Sequence, residues 1–162
     1  MDANYHTAFG VYGIYQPSED MLLVIKKTRG PYSNRFDLPG GSMEDDEGLD
    51  ETLKREIYEE TGTQLINYTQ LGVASFRYPW NYLNFKYNKH IAVFNLIEEL
   101  SGTIHETVTQ FDGQDSSGAE FVKLSSLTSE NSSPLVLKAK EYLRNNVFLP
   151  TDESFANLDS LE

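Results

Sequence analysis

Gly40 to Thr63 reads GGSMEDDEGLDETLKREIYEETGT, and its spacing of glycines and carboxylates organises the reading of the whole chain. Pro39-Gly40-Gly41 interrupts any regular element and marks a tight loop where backbone can approach a ligand closely. From about Gly48 to Thr61 there is no proline and no interior glycine, and Leu49, Leu53 and Ile57 recur every four residues. That spacing predicts an amphipathic helix with Gly62 as its C-terminal stop. At roughly 100° per residue, the apolar arc covers about 0–80°; Glu60 falls inside it at about 20°, while Glu56 (about 340°) and Glu59 (about 280°) border it. Lys54 and Arg55 point elsewhere on the same wheel. Carboxylates at i, i+3 and i+4 repel one another, and partial burial raises the penalty. A merely solvated acidic face would lie opposite the apolar stripe. A divalent cation removes the difficulty: Mg²⁺ takes hard oxygen ligands, keeps several waters and also holds substrate phosphates.

The stretch resembles the Nudix box, Gly-x5-Glu-x7-Arg-Glu-U-x-Glu-Glu-x-Gly-U, where U is aliphatic. Gly41, Glu47, Arg55, Glu56, Ile57, Glu59, Glu60 and Gly62 all match. Thr63 departs, standing where the family has an aliphatic residue; this is a packing position, so it bears on local stability more than on chemistry. Asp37-Leu38-Pro39-Gly40 and Glu44 also fit the family's extended pattern. The resemblance implies an α/β (α+β) fold: an α/β/α sandwich with a mixed β-sheet, the box forming a loop-helix-loop. It implies Mg²⁺, with Mn²⁺ as the alternative, held by Glu56, Glu59, Glu60 and the carbonyl of Gly40. Glu47 would assist at the metal or pair with Arg55. Many relatives recruit a further carboxylate from outside the box; Glu120 is the first candidate here, with Asp112 and Asp115 behind it, against the plainer reading of a surface acid. The general base stays open between Glu56 and Glu120.

Composition narrows the class. A chain of 162 residues is long enough for one domain with a sizeable core, read here as residues 1–150, with an acidic and loose tail at 151–162. No apolar run approaches membrane-spanning length, and the first residues lack the basic and apolar regions of a signal peptide. The chain has no cysteine, which fits a cytoplasmic location. The net charge of −12 argues against general nucleic-acid affinity and favours a small nucleotide as partner, attracted by the metal and a few local cations.

Strands are expected at Ala8–Tyr15 and Met21–Thr28, paired as a hairpin. The basic loop after them offers Lys26, Lys27, Arg29 and Arg35 for phosphate or base contact, with ordinary solvated charge as the alternative. Gln64–Tyr78 reads as one or two strands broken near Gly72, with Arg77 as a further substrate-binding candidate. Pro79–Tyr87 reads as an aromatic loop that either stacks on a base or packs on itself. Lys89–Leu96 is a strand that His90 flanks, Glu98–Gly102 a turn, residues 105–110 a short strand, and Ala119–Leu124 a final strand. His6 and His105 belong to no recognisable triad. Ser133 caps a last helix with Pro134 at its first position, and Leu135, Ala139, Tyr142 and Leu143 share its buried face.

The function expected from the resemblance is Mg²⁺-dependent hydrolysis of a diphosphate linkage in a nucleoside diphosphate derivative, first of all a nucleoside triphosphate cleaved to monophosphate and pyrophosphate. The alternatives are ADP-ribose or dinucleoside polyphosphate hydrolysis, pyrophosphohydrolysis at an RNA 5′ end, and a non-catalytic binding or regulatory module. Many relatives are dimers, so a homodimer is also an open expectation.

Overall fold

The computed structural model describes residues 4–105 and 114–158. In chain order the elements are β1 (Tyr5–Ile14), β2 (Met21–Lys27), β3 (Phe36–Asp37), β4 (Gly40–Gly41), α1 (Leu49–Thr61), β5 (Gln64–Tyr82), β6 (Phe85–Ser101), β7 (Ser116–Lys123), α2 (Pro134–Asn145) and β8 (Asp152–Ser154). Five strands form one sheet in the order β4-β1-β6-β5-β8, and three form another in the order β3-β2-β7. The larger sheet is mixed: β1 runs parallel to β6 and β8 parallel to β5, while β4 and β5 pair antiparallel with β1 and β6.

Side-chain alternation in β1 explains how the layers assemble. Val11 packs with Leu53 and Ile57 of α1, whereas Tyr12 and Ile14 join a separate core with Leu135, Val136 and Ala139 of α2. Successive residues of a strand point to opposite faces, so the two helices lie against opposite faces of the larger sheet, as expected of an α/β/α sandwich. In β2 the same alternation sends Leu22 and Val24 to the core shared with α2, and Leu23 and Ile25 to a third cluster with Ala119. The α2 cap is as expected: the Ser133 hydroxyl accepts from Val136 N, and Pro134 opens the first turn.

Several local expectations are corrected. β1 and β2 do not form a hairpin; β1 is flanked by β4 and β6, and β2 by β3 and β7. The turn between them supports a hairpin locally, but the partner of β1 lies about eighty residues away in sequence, outside the reach of a local pattern. The aromatic stretch after Tyr78 is a continuation of β5 and the start of β6, joined by a tight turn with Leu83 at φ 52°. Glu98–Ser101 likewise belong to β6 rather than to a turn. The segment from Thr151 is not loose where it is described. Asp152–Ser154 adds a parallel strand to the open edge of β5, and Phe155 and Leu158 pack against the α2 core. The short strand expected at 105–110, and Asp112, fall on or within residues 106–113, outside the described residues.

Candidate functional site

The chain reaches the site by changing sheets. β3 pairs with β2, β4 pairs with β1, and Leu38-Pro39 carries the backbone between them. Gly40 has φ 146°, and a Cβ there would lie 2.1 Å from the Val11 carbonyl oxygen. A Cβ on Gly41 would lie 2.7 Å from the Glu56 carboxyl carbon. The two glycines therefore let the loop lie directly on β1 and on the carboxylates of α1.

Arg55 organises that loop. It grips Glu47 with two bonds, Nε to Oε2 at 2.6 Å and Nη2 to Oε1 at 2.9 Å. It also donates to the Ser42 carbonyl at 2.9 Å, to Glu56 Oε1 at 2.9 Å and to Glu59 Oε2 at 3.2 Å. Glu47 further accepts from Glu44 N and the Thr52 hydroxyl. The hydrogen bond from Arg55 holds the Glu47 carboxyl down at about 2. With its oxygens so engaged, Glu47 ties loop to helix, and the pairing with Arg55 is present.

Glu60 is 1% exposed, as its place on the apolar arc requires. Its Oε1 accepts from Gly40 N at 2.8 Å, while its Oε2 is buried and has no partner among the described residues. Burial, and then Glu56, push its carboxyl well above the usual range. Burial pushes Glu56 up to about 7 against the opposing pull of Arg55. A buried carboxyl with an unsatisfied oxygen and a half-buried one next to it are the donor set a hard cation completes. Among the described residues no three acidic or imidazole side chains form a ready-made cage. Mg²⁺ does not require one, because waters and substrate phosphates supply its other ligands. The residues fit such an ion.

A cavity of about 510 Å³ opens over this cluster. Gly40, Gly41, Glu44, Arg55, Glu56 and Glu59 line it, together with His6, Trp80 and Asn88 and with Tyr12, Tyr32, Asp37, His90 and Asp115. Six expected contributors do not line it: Glu60 is buried, Glu47 is held by Arg55, and four others lie elsewhere. Lys26 is exposed and outside the cavity, while its neighbour Lys27 lines it, paired with Asp115. Arg35 donates to the carbonyls of Ser129, Ser132 and Leu158 and so fastens loops and the C-terminal segment. Arg77 is exposed on β5 and does not line the cavity. Glu120 is exposed on β7 and outside the cavity, and Asp115, ranked behind it, is the one that reaches in. Of the basic candidates Arg29 lines the cavity. From the aromatic stretch only Trp80 does, stacked on Tyr82 with ring centroids 4.7 Å apart. Sequence reasoning passed over Tyr12, Tyr32 and Asn88, took His90 first as flanking its strand, with substrate contact as the lesser reading, and gave His6 no role. The available signal was a polar residue at a core-facing register: Asn88 and His90 alternate with the same face as Ala92 and Phe94.

A family model for the NUDIX domain matches residues 4–145. The chain belongs to this family. Over 124 residues the NUDIX chain is 32% identical to an ADP-ribose pyrophosphatase of Methanocaldococcus jannaschii, a match spanning 75% of this chain but 65% of that relative. Among solved structures it resembles a MutT NUDIX hydrolase from Burkholderia pseudomallei, with a TM-score of 0.66 and 24% identity over 84% of this chain and 97% of that one. It also resembles the NUDIX domain of Shewanella oneidensis NrtR, solved with ADP ribose, with a TM-score of 0.59 and 16% identity over 87% and 88% of the two chains. These likenesses show the shared fold. The family match agrees with the resemblance read from Gly41 to Thr63, and no helix among the described residues is long and apolar enough to cross a membrane.

Proposed function

We propose that this chain hydrolyses a diphosphate linkage in a nucleoside diphosphate derivative, with a divalent cation, Mg²⁺ or Mn²⁺, held by Glu56, Glu59, Glu60 and the Gly40 carbonyl. The observation that carries this reading is the partnerless, buried Oε2 of Glu60, whose other oxygen accepts from Gly40 N, next to a cavity that Gly40, Gly41, Glu56 and Glu59 line. When bound, the cation supplies charge neutralisation at phosphorus and makes water a competent nucleophile near neutral pH. Burial pushes Glu56 up to about 7 without the ion; with the ion bound it would stay ionised, as the carboxylate that ligates the metal or takes the proton of the attacking water. Arg55 fixes the orientation of Glu56 and Glu59 through its bonds to both. Trp80 and His6 offer aromatic surface for the nucleoside part. Water adds to phosphorus, the bridging P–O bond breaks, and the leaving phosphate takes the electron pair and a proton.

A nucleoside triphosphate is the substrate expected from the sequence. ADP-ribose is the second reading, favoured by the name of the relative that is 32% identical. The test is a panel of nucleoside triphosphates, oxidised nucleotides, ADP-ribose, nucleotide sugars, dinucleoside polyphosphates and capped RNA with Mg²⁺, products identified by mass. Glu59→Gln is run in parallel and is expected to abolish turnover with the fold intact. Near-normal activity in that variant would remove the assignment. Silence across the panel while the cation still binds would favour a binding module.

A further inference from the structure

Six polar side chains form one continuous hydrogen-bonded chain along the cavity. His6 Nδ1 donates to Asn88 Oδ1 at 2.9 Å. Asn88 Nδ2 donates to the Tyr78 hydroxyl at 2.8 Å, and Tyr78 donates to the Tyr32 hydroxyl at 2.9 Å. Tyr32 then has one hydrogen left, and its next neighbour is His90 Nδ1 at 2.7 Å. On the other side of the same ring, His90 Nε2 lies 2.9 Å from the Tyr12 hydroxyl. A neutral imidazole has one donor and one acceptor nitrogen. If Tyr32 donates to Nδ1, Nε2 carries the hydrogen and donates it to Tyr12; the opposite sense, Nδ1–H to Tyr32 and Tyr12 O–H to Nε2, meets the same distances, and the tautomer decides between them. In the first sense the Tyr12 hydroxyl has an acceptor lone pair engaged and its own hydrogen has no protein acceptor among the described residues; in the second that hydrogen goes to Nε2. His90 is buried, and that burial pulls it down to about 3, which keeps it neutral.

Tyr12 sits where that hydrogen is useful. It lines the cavity, and it packs so closely under Gly40 that a Cβ there would lie 2.7 Å from its ring. Its hydroxyl lies directly over Gly10, where a Cβ would approach it to 2.4 Å. Its position is therefore set from both sides.

We propose that the chain runs in the first sense, with Nε2–H donating to Tyr12, that Tyr12 is a specificity-determining donor, its hydrogen aimed at a phosphoryl oxygen of the bound nucleotide, and that Tyr78, which does not line the cavity, is a positioning residue that sets the direction of the chain. This deepens the proposed function and rests on it for the identity of the ligand. The hydrogen-bond direction discriminates: an acceptor oxygen of a diphosphate satisfies Tyr12, whereas a donor placed there leaves two hydrogens facing each other.

The experiment has two arms. In ¹⁵N-labelled protein without ligand, the ring nitrogens of His90 report which of them is protonated; the Nε2–H form is expected, and the Nδ1–H form overturns the proposal. Tyr78→Phe should turn that single form into a mixture, a change that a purely packing role for Tyr78 does not produce. In the second arm, calorimetry with Mg²⁺ measures binding of α,β-methylene-ADP, which keeps the phosphoryl oxygens and resists cleavage at the bridge. Tyr12→Phe should bind about ten-fold more weakly or worse, as befits a hydrogen bond to a charged oxygen. Tyr78→Phe should bind about three-fold more weakly through the altered chain. Equal affinities for wild type and Tyr12→Phe, or no binding by the wild type, overturn the assignment. If the analogue binds as expected but no substrate is turned over, the hydrolase reading fails while this one stands.

Discussion

Replacing Glu56 by glutamine isolates the electrostatic cost that the site carries without a cation. Burial pushes Glu56 from 4.5 up to about 7, so the folded state holds this proton more tightly than the unfolded one. The sign follows: its contribution to stability is complete below about pH 4.5 and is lost as pH rises through about 7. Between pH 5.5 and pH 8 the loss from this one group amounts to about 2 kcal/mol. Glutamine has the shape of the protonated acid, keeps an oxygen for Arg55, and does not titrate. Glu56→Gln should therefore gain about 2 kcal/mol on wild type across that interval in chelator-treated protein. Urea unfolding at each pH measures it, and taking the difference between the two proteins removes the titrating groups that Glu56 does not push, leaving Glu56 and its neighbour Glu60. Added Mg²⁺ should reverse the order at pH 8. An ion at one hundred times its dissociation constant stabilises wild type by about 2.7 kcal/mol, and the variant has lost a charged ligand. Parallel pH curves for the two proteins would refute the burial argument. Equal stabilisation of both by Mg²⁺ would refute Glu56 as a ligand.

Other perturbations test separate parts of the site. Arg55→Lys keeps the charge but loses the planar fork that grips Glu47, and should weaken divalent-cation affinity about 10- to 100-fold by titration calorimetry while circular dichroism stays unchanged. His90 is pulled down to about 3 by burial, so the unfolded chain binds its proton first. Its contribution is full above pH 6.5 and is lost at about 1.4 kcal/mol per unit as pH falls toward 3, a slope that His90→Gln should flatten in acid unfolding curves. Thr63→Val, which restores the family's aliphatic residue, should change stability by less than about 1 kcal/mol in thermal unfolding. Thr61 Oγ1 still donates to the Ile57 carbonyl at 2.6 Å when the Thr63 hydroxyl is gone.

The helix from Leu49 to Thr61 and the burial of Glu60 could be read directly, because both follow from spacing within a few turns. Of the partners of Arg55, Glu47 was one of two readings that the resemblance offered, while Ser42, Glu56 and Glu59 were not read, because the wheel turns Arg55 away from the carboxylates and its long side chain reaches back to them. Legibility fell where position depends on distant pairing. Lys26 and Lys27 are equivalent in composition, and only the register of β2 against β7 turns one outward and the other toward Asp115. Arg35 looks like a free cation until its carbonyl partners at Ser129, Ser132 and Leu158 fold back onto it. Glu120 and Asp115 were separated by β7, which leaves Glu120 exposed and puts Asp115 at the cavity. The tyrosine–histidine chain draws on β1, the loop after β2, β5 and β6, and no window of local sequence contains it.

The charge balance of the cavity carries the argument for the cation one step further. Lys27 and Arg55 line it, but Lys27 is paired with Asp115 and Arg55 with Glu47, Glu56 and Glu59. Burial pulls the Lys27 ammonium down, and Asp37 and Asp115 together outweigh it and keep the charge in place. Arg29, at the rim, has no ion-pair partner among the described residues. A diphosphate would thus enter a pocket whose main cations are already neutralised, in a chain of net charge −12. One divalent ion changes this locally by two charges, at the point where Glu60 keeps an oxygen unsatisfied. Attraction of the substrate would then depend on the ion more than on side chains. Raising ionic strength should weaken substrate binding only modestly, because screening acts mainly on exposed charges such as Arg29. Removing the ion should abolish binding at any ionic strength. A steep salt dependence with the ion present would instead mean that exposed side chains supply the attraction.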